Sequence, residues 1–166
     1  MTRVDPDSSG CEHARVDVRR MQSAELEAVI ELWNETCVDT YGFIETERGY
    51  SFDDRRAFFL ARIEPTCELW VATDSGVLLG YLALRKSYVD RLYVRPKAQR
   101  SGAGAALIGK ARERSPEGLE LHTHVKNGKA RAFYEKEGFV AVRFGVSPAP
   151  ESEPDVEYHW RPAKLR

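Results

Sequence analysis

Gln99-Arg100-Ser101-Gly102-Ala103-Gly104 joins a strand-like run, Tyr88 to Val94, to an alanine-rich helical stretch. Such a junction can hold an anion. The first amide N–H groups of a helix lack intrahelical acceptors, and the aligned peptide dipoles place about half a positive charge at that end. Glycine at 102 and 104 removes Cβ atoms, so phosphate oxygens could approach the backbone. The other reading gives these glycines turn geometry alone, and an isolated Gly-x-Gly does not choose between the two. From Arg95 to Arg114 the cations Arg95, Lys97, Arg100, Lys110, Arg112 and Arg114 face the single acid Glu113. Lys110 and Arg112 read as a solvated helix face, whereas Arg100, inside the loop, is the phosphate candidate.

Other reactive side chains form weaker patterns. Alternation puts His122 and His124 on one face of a strand, but a metal needs more ligands, and Cys11-x-His13 belongs to a polar N-terminal segment. No metal is expected. Cys11, Cys37 and Cys67 are odd in number and widely spaced, without a Cys-x-x-Cys pair. They read as reduced thiols of a cytoplasmic protein, not as a disulfide framework.

These groups need a scaffold. With 166 residues, 42% hydrophobic and 31% charged, the chain fits one soluble globular domain. Its net charge of -1 gives no case for nucleic acid or membrane as a partner, and neither a signal peptide nor a membrane span is visible. Residues 1–13 read as a flexible tail and 14–166 as the domain. A strand over Arg15–Arg19 precedes a helix capped by Ser23, with Leu26, Val29, Ile30, Trp33 and Cys37 at helical spacing. A second helix starts at Ser51 or Asp53 and ends before Pro65. Thr73-Asp74-Ser75-Gly76 turns a hairpin, and Tyr88 to Val94 forms the next strand. A helix from Ala103 to about Arg114, a strand from Leu119, a helix from Asn127 to Glu137 closed by Gly138, and two final strands complete an α/β domain with a mixed sheet.

In that order the chain resembles the GNAT superfamily of N-acetyltransferases. The likeness rests on Leu92-Tyr93-Val94-Arg95-Pro96, on Gln99-x-x-Gly102-x-Gly104, and on Asn127-x-x-Ala130-x-x-Phe133-Tyr134-Glu135-Lys136-Glu137-Gly138-Phe139. It implies a mostly antiparallel sheet with splayed fourth and fifth strands and about four helices. It also implies acetyl-CoA as donor and an amine as acceptor, on a small molecule or a peptide. Leu92, Tyr93 and Val94 would lie along the pantetheine arm, and Gln99, Arg100, Ser101, Gly102, Ala103, Gly104 and Ala105 around the pyrophosphate. Asn127 would touch the cofactor arm or simply cap its helix; the roles are compatible. Tyr134 would be the general acid that protonates the departing thiolate, and the Val94 amide an oxyanion donor.

The amine must also lose a proton. Some family members carry a glutamate four positions before the residue matching Leu92, where this chain has Tyr88. Asp90, on the face of Leu92 by alternation, is the first substitute, with Glu68 or His122 acting through water. Trp33, Tyr41 and Phe43 occupy the place of the family's substrate lid, and can equally be core. Glu35, Asp39, Glu45 and Glu47 nearby would suit a cationic amine.

Direct attack in a ternary complex needs no nucleophile, so acetylation of Cys37 or Cys67 is a minor route. The competing class is a catalytically weak or inactive acyl-CoA-binding sensor. A nucleotide binder is disfavoured, because the loop lacks Gly-Lys-Ser/Thr and a second βαβ acid. Homodimerisation through Val156, Tyr158 and Trp160 of the closing strands is expected by analogy of fold.

Overall fold

The computed structural model describes residues 15–164, apart from the side chains of 42–48. The expected tail, with Cys11 and His13, lies outside the described residues, as does the side chain of Phe43. Strand β1 (Asp17–Arg20) leads through a short 3-10 turn into α1 (Leu26–Arg48), followed by α2 (Phe52–Phe58) and a π-helical turn, Phe59–Ile63. Then come β2 (Glu68–Asp74), β3 (Val77–Arg85), β4 (Tyr88–Val94), α3 (Ala103–Arg114), β5 (Leu119–His124), α4 (Gly128–Lys136), β6 (Val140–Val146) and β7 (Pro154–Trp160). The seven strands form one sheet in the order β1-β2-β3-β4-β5-β7-β6.

Every neighbouring pair is antiparallel except β4 and β5, which are parallel and matched only at Tyr88 with Glu120. Beyond that point the two strands part. Each face of the sheet carries its own core. Leu82, Val89, Leu107, Ile108, Leu121 and Tyr158 pack under α3 and α4, and Val29, Ile30, Trp33, Phe59, Val71 and Tyr81 under α1 and α2.

The first helix departs from the expected entry and length. Gln22, not Ser23, is the cap, and its N–H donates to the Glu25 carboxylate at 2.8 Å. Arg19 grips the same carboxylate with two hydrogen bonds, of 2.9 and 2.6 Å. The helix also runs past Cys37 to Arg48, bending at Tyr41, whose backbone leaves helical geometry at φ -122 and ψ 19. Ser51 does cap α2, accepting the Asp54 N–H.

The closing strands place the residues of the expected dimer face unequally, with Trp160 half-buried. Val156 and Tyr158 are fully buried in the chain's own core, so they offer nothing to a second copy. The exposed apolar row, Val140, Val142, Phe144 and Val146, lies instead on the edge strand β6.

Candidate active site

An extra residue in β4 sets the geometry. Leu84 faces Val89 and Ala83 faces Arg91, so Asp90 is unmatched and forms a bulge. Simple alternation would put Asp90 with Leu92. The bulge breaks that phase: Val89, Leu92 and Val94 pack into the α3–α4 core, while Tyr93 packs with the α1–α2 core.

The ladder then decides which peptide groups are free. Arg95 N–H donates to Leu79 C=O at 2.8 Å, so the bonded pairs of the register continue at Tyr81 with Tyr93 and Ala83 with Arg91. Leu92 and Val94 fall at the non-bonded positions, and their N–H and C=O groups turn away from β3 into the gap beside β5. Tyr93 differs in this respect, its peptide groups being spent on β3. The Gln99 side chain reaches Val94 C=O at 3.4 Å and ties the following loop to the strand.

At the end of that edge stands the N-terminus of α3. Ala106 is the first residue with an intrahelical acceptor, Gly102 C=O at 3.0 Å, and Ala103 N–H finds only Ser101 Oγ at 3.4 Å. The N–H groups of Gly104 and Ala105 have no intrahelical acceptor by helix geometry. The two glycines differ. Gly102 has φ +89 with open space around its Cβ position, whereas a Cβ on Gly104 would stand 3.1 Å from the Phe133 ring. Gly102 therefore serves the turn, and Gly104 serves close packing of α3 on α4.

The cation cluster read from the sequence mostly has other work. Arg95 pairs with Glu35, Lys110 with Glu113 and Arg114 with Glu68, while Arg112 donates to Glu137 C=O and lies over Trp160. Arg100 does line the cleft, and so do Lys129 and Lys136 of α4, which sequence reasoning passed over. The signal for the lysines was there: seven residues apart, they stand on one side of a helix.

The cleft, of about 1290 Å³, is bounded by β4, the loop, the start of α3, one side of α4 and the middle of α1. Asn127 caps α4, accepting Ala130 N–H on Oδ1 at 3.1 Å, and its Nδ2 donates to Tyr41 Oη at 2.7 Å. Tyr134 lines the same cleft with 8% of its surface exposed, and its ring is held edge-on by Phe133 and Phe139. Burial pushes its phenol well above the usual tyrosine range, with the phenols of Tyr41 and Tyr88 adding to the effect. The hydroxyl therefore keeps its proton at neutral pH.

A second cavity, of about 930 Å³, opens between α1, α2 and the β6–β7 connection. Trp33, Tyr41, Tyr50 and Phe58 form its aromatic wall, and Asp155, Glu151 and Glu157 are among the acids facing them. Trp33 is both core and wall: it is 7% exposed, it packs on Phe59, and the Arg91 guanidinium sits 5.6 Å from its ring centre. The two cavities share Tyr41, Asp90, His122 and Thr123 among their lining residues. They meet where β4 and β5 separate.

The candidate bases fare differently. Glu68 lines neither cavity; Arg114 holds it at 2.9 Å, with Arg20 at 3.4 Å. Asp90 lines both, but its carboxylate lies 3.0 Å from Arg91 and 3.5 Å from Arg85. His122 lines both, with Nδ1 hydrogen-bonded to Tyr88 Oη at 3.2 Å. Among the described residues no group of three or more His, Cys, Asp or Glu is placed to hold a metal, and no helix is long and apolar enough to cross a membrane.

Residues 26–139 match the model of the acetyltransferase (GNAT) family. The peptidyl-lysine N-acetyltransferase YiaC of Escherichia coli is 32% identical over 127 residues, covering 75% of this chain and 84% of YiaC. The peptidyl-lysine N-acetyltransferase YjaB of Salmonella typhimurium is 29% identical over 125 residues, covering 75% of this chain and 83% of its own. The solution structure of apo YjaB from Escherichia coli aligns with a TM-score of 0.73 at 25% identity, over 87% of this chain and 97% of that one. YncA of Salmonella typhimurium, solved with acetyl-CoA, shares the fold at a TM-score of 0.68 and 17% identity, over 92% and 96% of the two chains.

Proposed function

The chain belongs to the GNAT family and is an acetyltransferase, and from that premise we propose that it transfers acetyl from acetyl-CoA to a primary amine by direct attack in a ternary complex. One observation carries the reading. The peptide edge that Leu92 and Val94 turn away from β3 runs into the N-terminus of α3, in the cleft that Tyr134 lines. An extended arm with two amides and a pyrophosphate at its end matches that sequence of donors and acceptors. YncA, of the same fold, was solved with acetyl-CoA.

In this reading the pantetheine amides complete the open edge of β4, and the N–H groups of Gly104 and Ala105 meet the pyrophosphate. Arg100, Lys129 and Lys136 lie around the phosphates. The thioester then sits in the gap between β4 and β5, where the Val94 N–H polarises its carbonyl. The amine enters from the second cavity past Trp33 and Tyr41, with Phe43 in the same part of the chain. Attack on the thioester carbonyl gives a tetrahedral intermediate, and collapse expels the CoA thiolate. Tyr134 supplies its proton.

Asp90 has a different task from the one its position first suggests. Its carboxylate lies against Arg91 and lines both cavities, so we assign it electrostatic attraction of the cationic amine at the junction. The acceptor we favour is a lysine side chain of a peptide, because YiaC and YjaB are named for that activity and acids line the entry.

The test is CoA thiol release from acetyl-CoA with a peptide carrying one free lysine, for wild type and Tyr134→Phe. Loss of about a hundred- to ten-thousandfold in kcat, with CoA affinity retained, is expected of the variant. Undiminished turnover removes Tyr134 as the acid. CoA binding by the wild type without turnover on this peptide or on a panel of other amines supports the acyl-CoA sensor instead, a reading that the engaged Asp90 favours.

A further inference from the structure

Tyr88 opens β4 beside the amine cavity, and it is not isolated. Its hydroxyl is hydrogen-bonded to His122 Nδ1 at 3.2 Å, and the rings are 5.9 Å apart. The other ring nitrogen, Nε2, faces Glu157 Oε2 at 3.8 Å. Glu157 is held in turn by Arg143 and His159, each at 2.7 Å. Three strands thus supply one line of polar atoms, from the amine cavity to a carboxylate.

We propose that Tyr88 and His122 form the proton exit for the attacking amine, with Glu157 as the positioning residue that stabilises the resulting imidazolium. The proposal rests on the acetyl-transfer reading above. It fits the location, because Tyr88 lines the amine cavity and His122 lines both cavities at their junction. It also fits the rigidity of the site: Tyr88 pairs with Glu120 at the one matched position of β4 and β5, two residues before His122.

The proton count closes. The ammonium gives a proton to the Tyr88 oxygen, directly or over one water, while the Tyr88 hydroxyl proton passes to His122 Nδ1. The freed nitrogen lone pair attacks the thioester carbonyl. The step converts neutral imidazole to imidazolium beside the Glu157 carboxylate, and leaves tyrosine neutral throughout. His122, whose side chain is 37% exposed, then returns the proton to water. The departing thiolate takes its proton from Tyr134, and the second proton that the nitrogen loses, from the tetrahedral intermediate, restores the Tyr134 phenol.

The mechanism fixes a tautomer. Nδ1 must accept from Tyr88 in the resting state, so Nε2 carries the hydrogen and points it at Glu157. Other titratable and charged groups act on the same place: Arg85 of β3, Asp90 and Arg91 of β4, Asp155 and His159 of β7 and Arg143 of β6. Replacement of Glu157 is therefore a cleaner electrostatic probe than a change of salt.

Two measurements on the full chain test this. Long-range proton–nitrogen NMR of the free protein should show neutral His122 protonated at Nε2 and bare at Nδ1; the opposite tautomer overturns the relay, whatever the turnover. With acetyl-CoA and the single-lysine peptide, His122→Gln and Tyr88→Phe should each lower kcat by about a hundredfold. His122→Gln should also erase the acid limb of the kcat profile, and Glu157→Gln should move that limb toward lower pH. A His122→Gln variant that keeps the wild-type limb overturns the relay while leaving acetyl transfer intact. A wild type that binds CoA and turns over no amine removes both.

Discussion

Asn127 Nδ2 and Tyr41 Oη are joined by a 2.7 Å hydrogen bond that links the start of α4 to the bend in α1. One side chain serves two elements, because Asn127 Oδ1 also accepts the Ala130 N–H that caps the helix. The cap expected from the sequence is present, and the residue lines the cleft.

Asn127→Ala should lower stability by about 1 kcal/mol through the cap, and Tm by about 2–4 °C. Tyr41→Phe leaves that cap in place and removes the bond to Asn127. It should hold the Tm above that of Asn127→Ala in calorimetry while the amine KM rises above wild type. An unchanged amine KM would remove the bond to Tyr41 from the substrate site.

Gly102 and Gly104 should respond differently to alanine. At Gly102 the space is open but φ is +89, so the methyl costs about 1–2 kcal/mol of backbone strain and loosens the loop. At Gly104 the methyl meets Phe133 at 3.1 Å, and Phe133 precedes Tyr134. Steady-state kinetics should show a raised acetyl-CoA KM for both, and a reduced kcat for Gly104→Ala alone.

Neutralising Arg100, Lys129 and Lys136 together should weaken CoA binding at least about tenfold, since charge-assisted bonds to phosphate are the ones removed. Titration calorimetry should also find a shallower salt dependence in the triple variant. Arg112→Ala is the contrast. Its guanidinium serves Glu137 C=O and the Trp160 ring, so it should lower the Tm and leave CoA affinity unchanged.

Glu25 should make stability sensitive to acid. The Arg19 hydrogen bonds pull its carboxyl down to about 2, against desolvation that pushes the other way. A carboxylate depressed in the folded state stabilises fully above its unfolded pKa, here about 4.5. That contribution fades as pH falls from there toward about 2. Urea midpoints should therefore drop less for Glu25→Gln than for wild type between about pH 6 and about pH 3.

What the sequence disclosed follows the range of its signals. Strand Tyr88–Val94 and helix Ala103–Arg114 lie where local periodicity and the Pro96 break put them. The bend at Tyr41 and the run of α1 past Gly42 were hidden, because Tyr41 meets Asn127 and His124 far along the chain and glycine alone does not end a helix. The bulge at Asp90 was hidden for a related reason: an unmatched residue exists only relative to the register of β3. Arg95 and Arg114 swelled the apparent cation cluster because their partners, Glu35 and Glu68, lie 60 and 46 positions away in the chain. Charge content is written locally, and pairing is not.

In the proposed reaction, the meeting of the two cavities at the parting of β4 and β5 gives the protein two doors onto one reacting centre. A nucleotide thioester can come in by the α3–α4 side and a bulky amine by the α1–α2 side. Neither has to back out along the other's path. The enzyme is in that sense a passage through a sheet, and the size of the molecule it can serve on one side sets no limit on what is bound at the other.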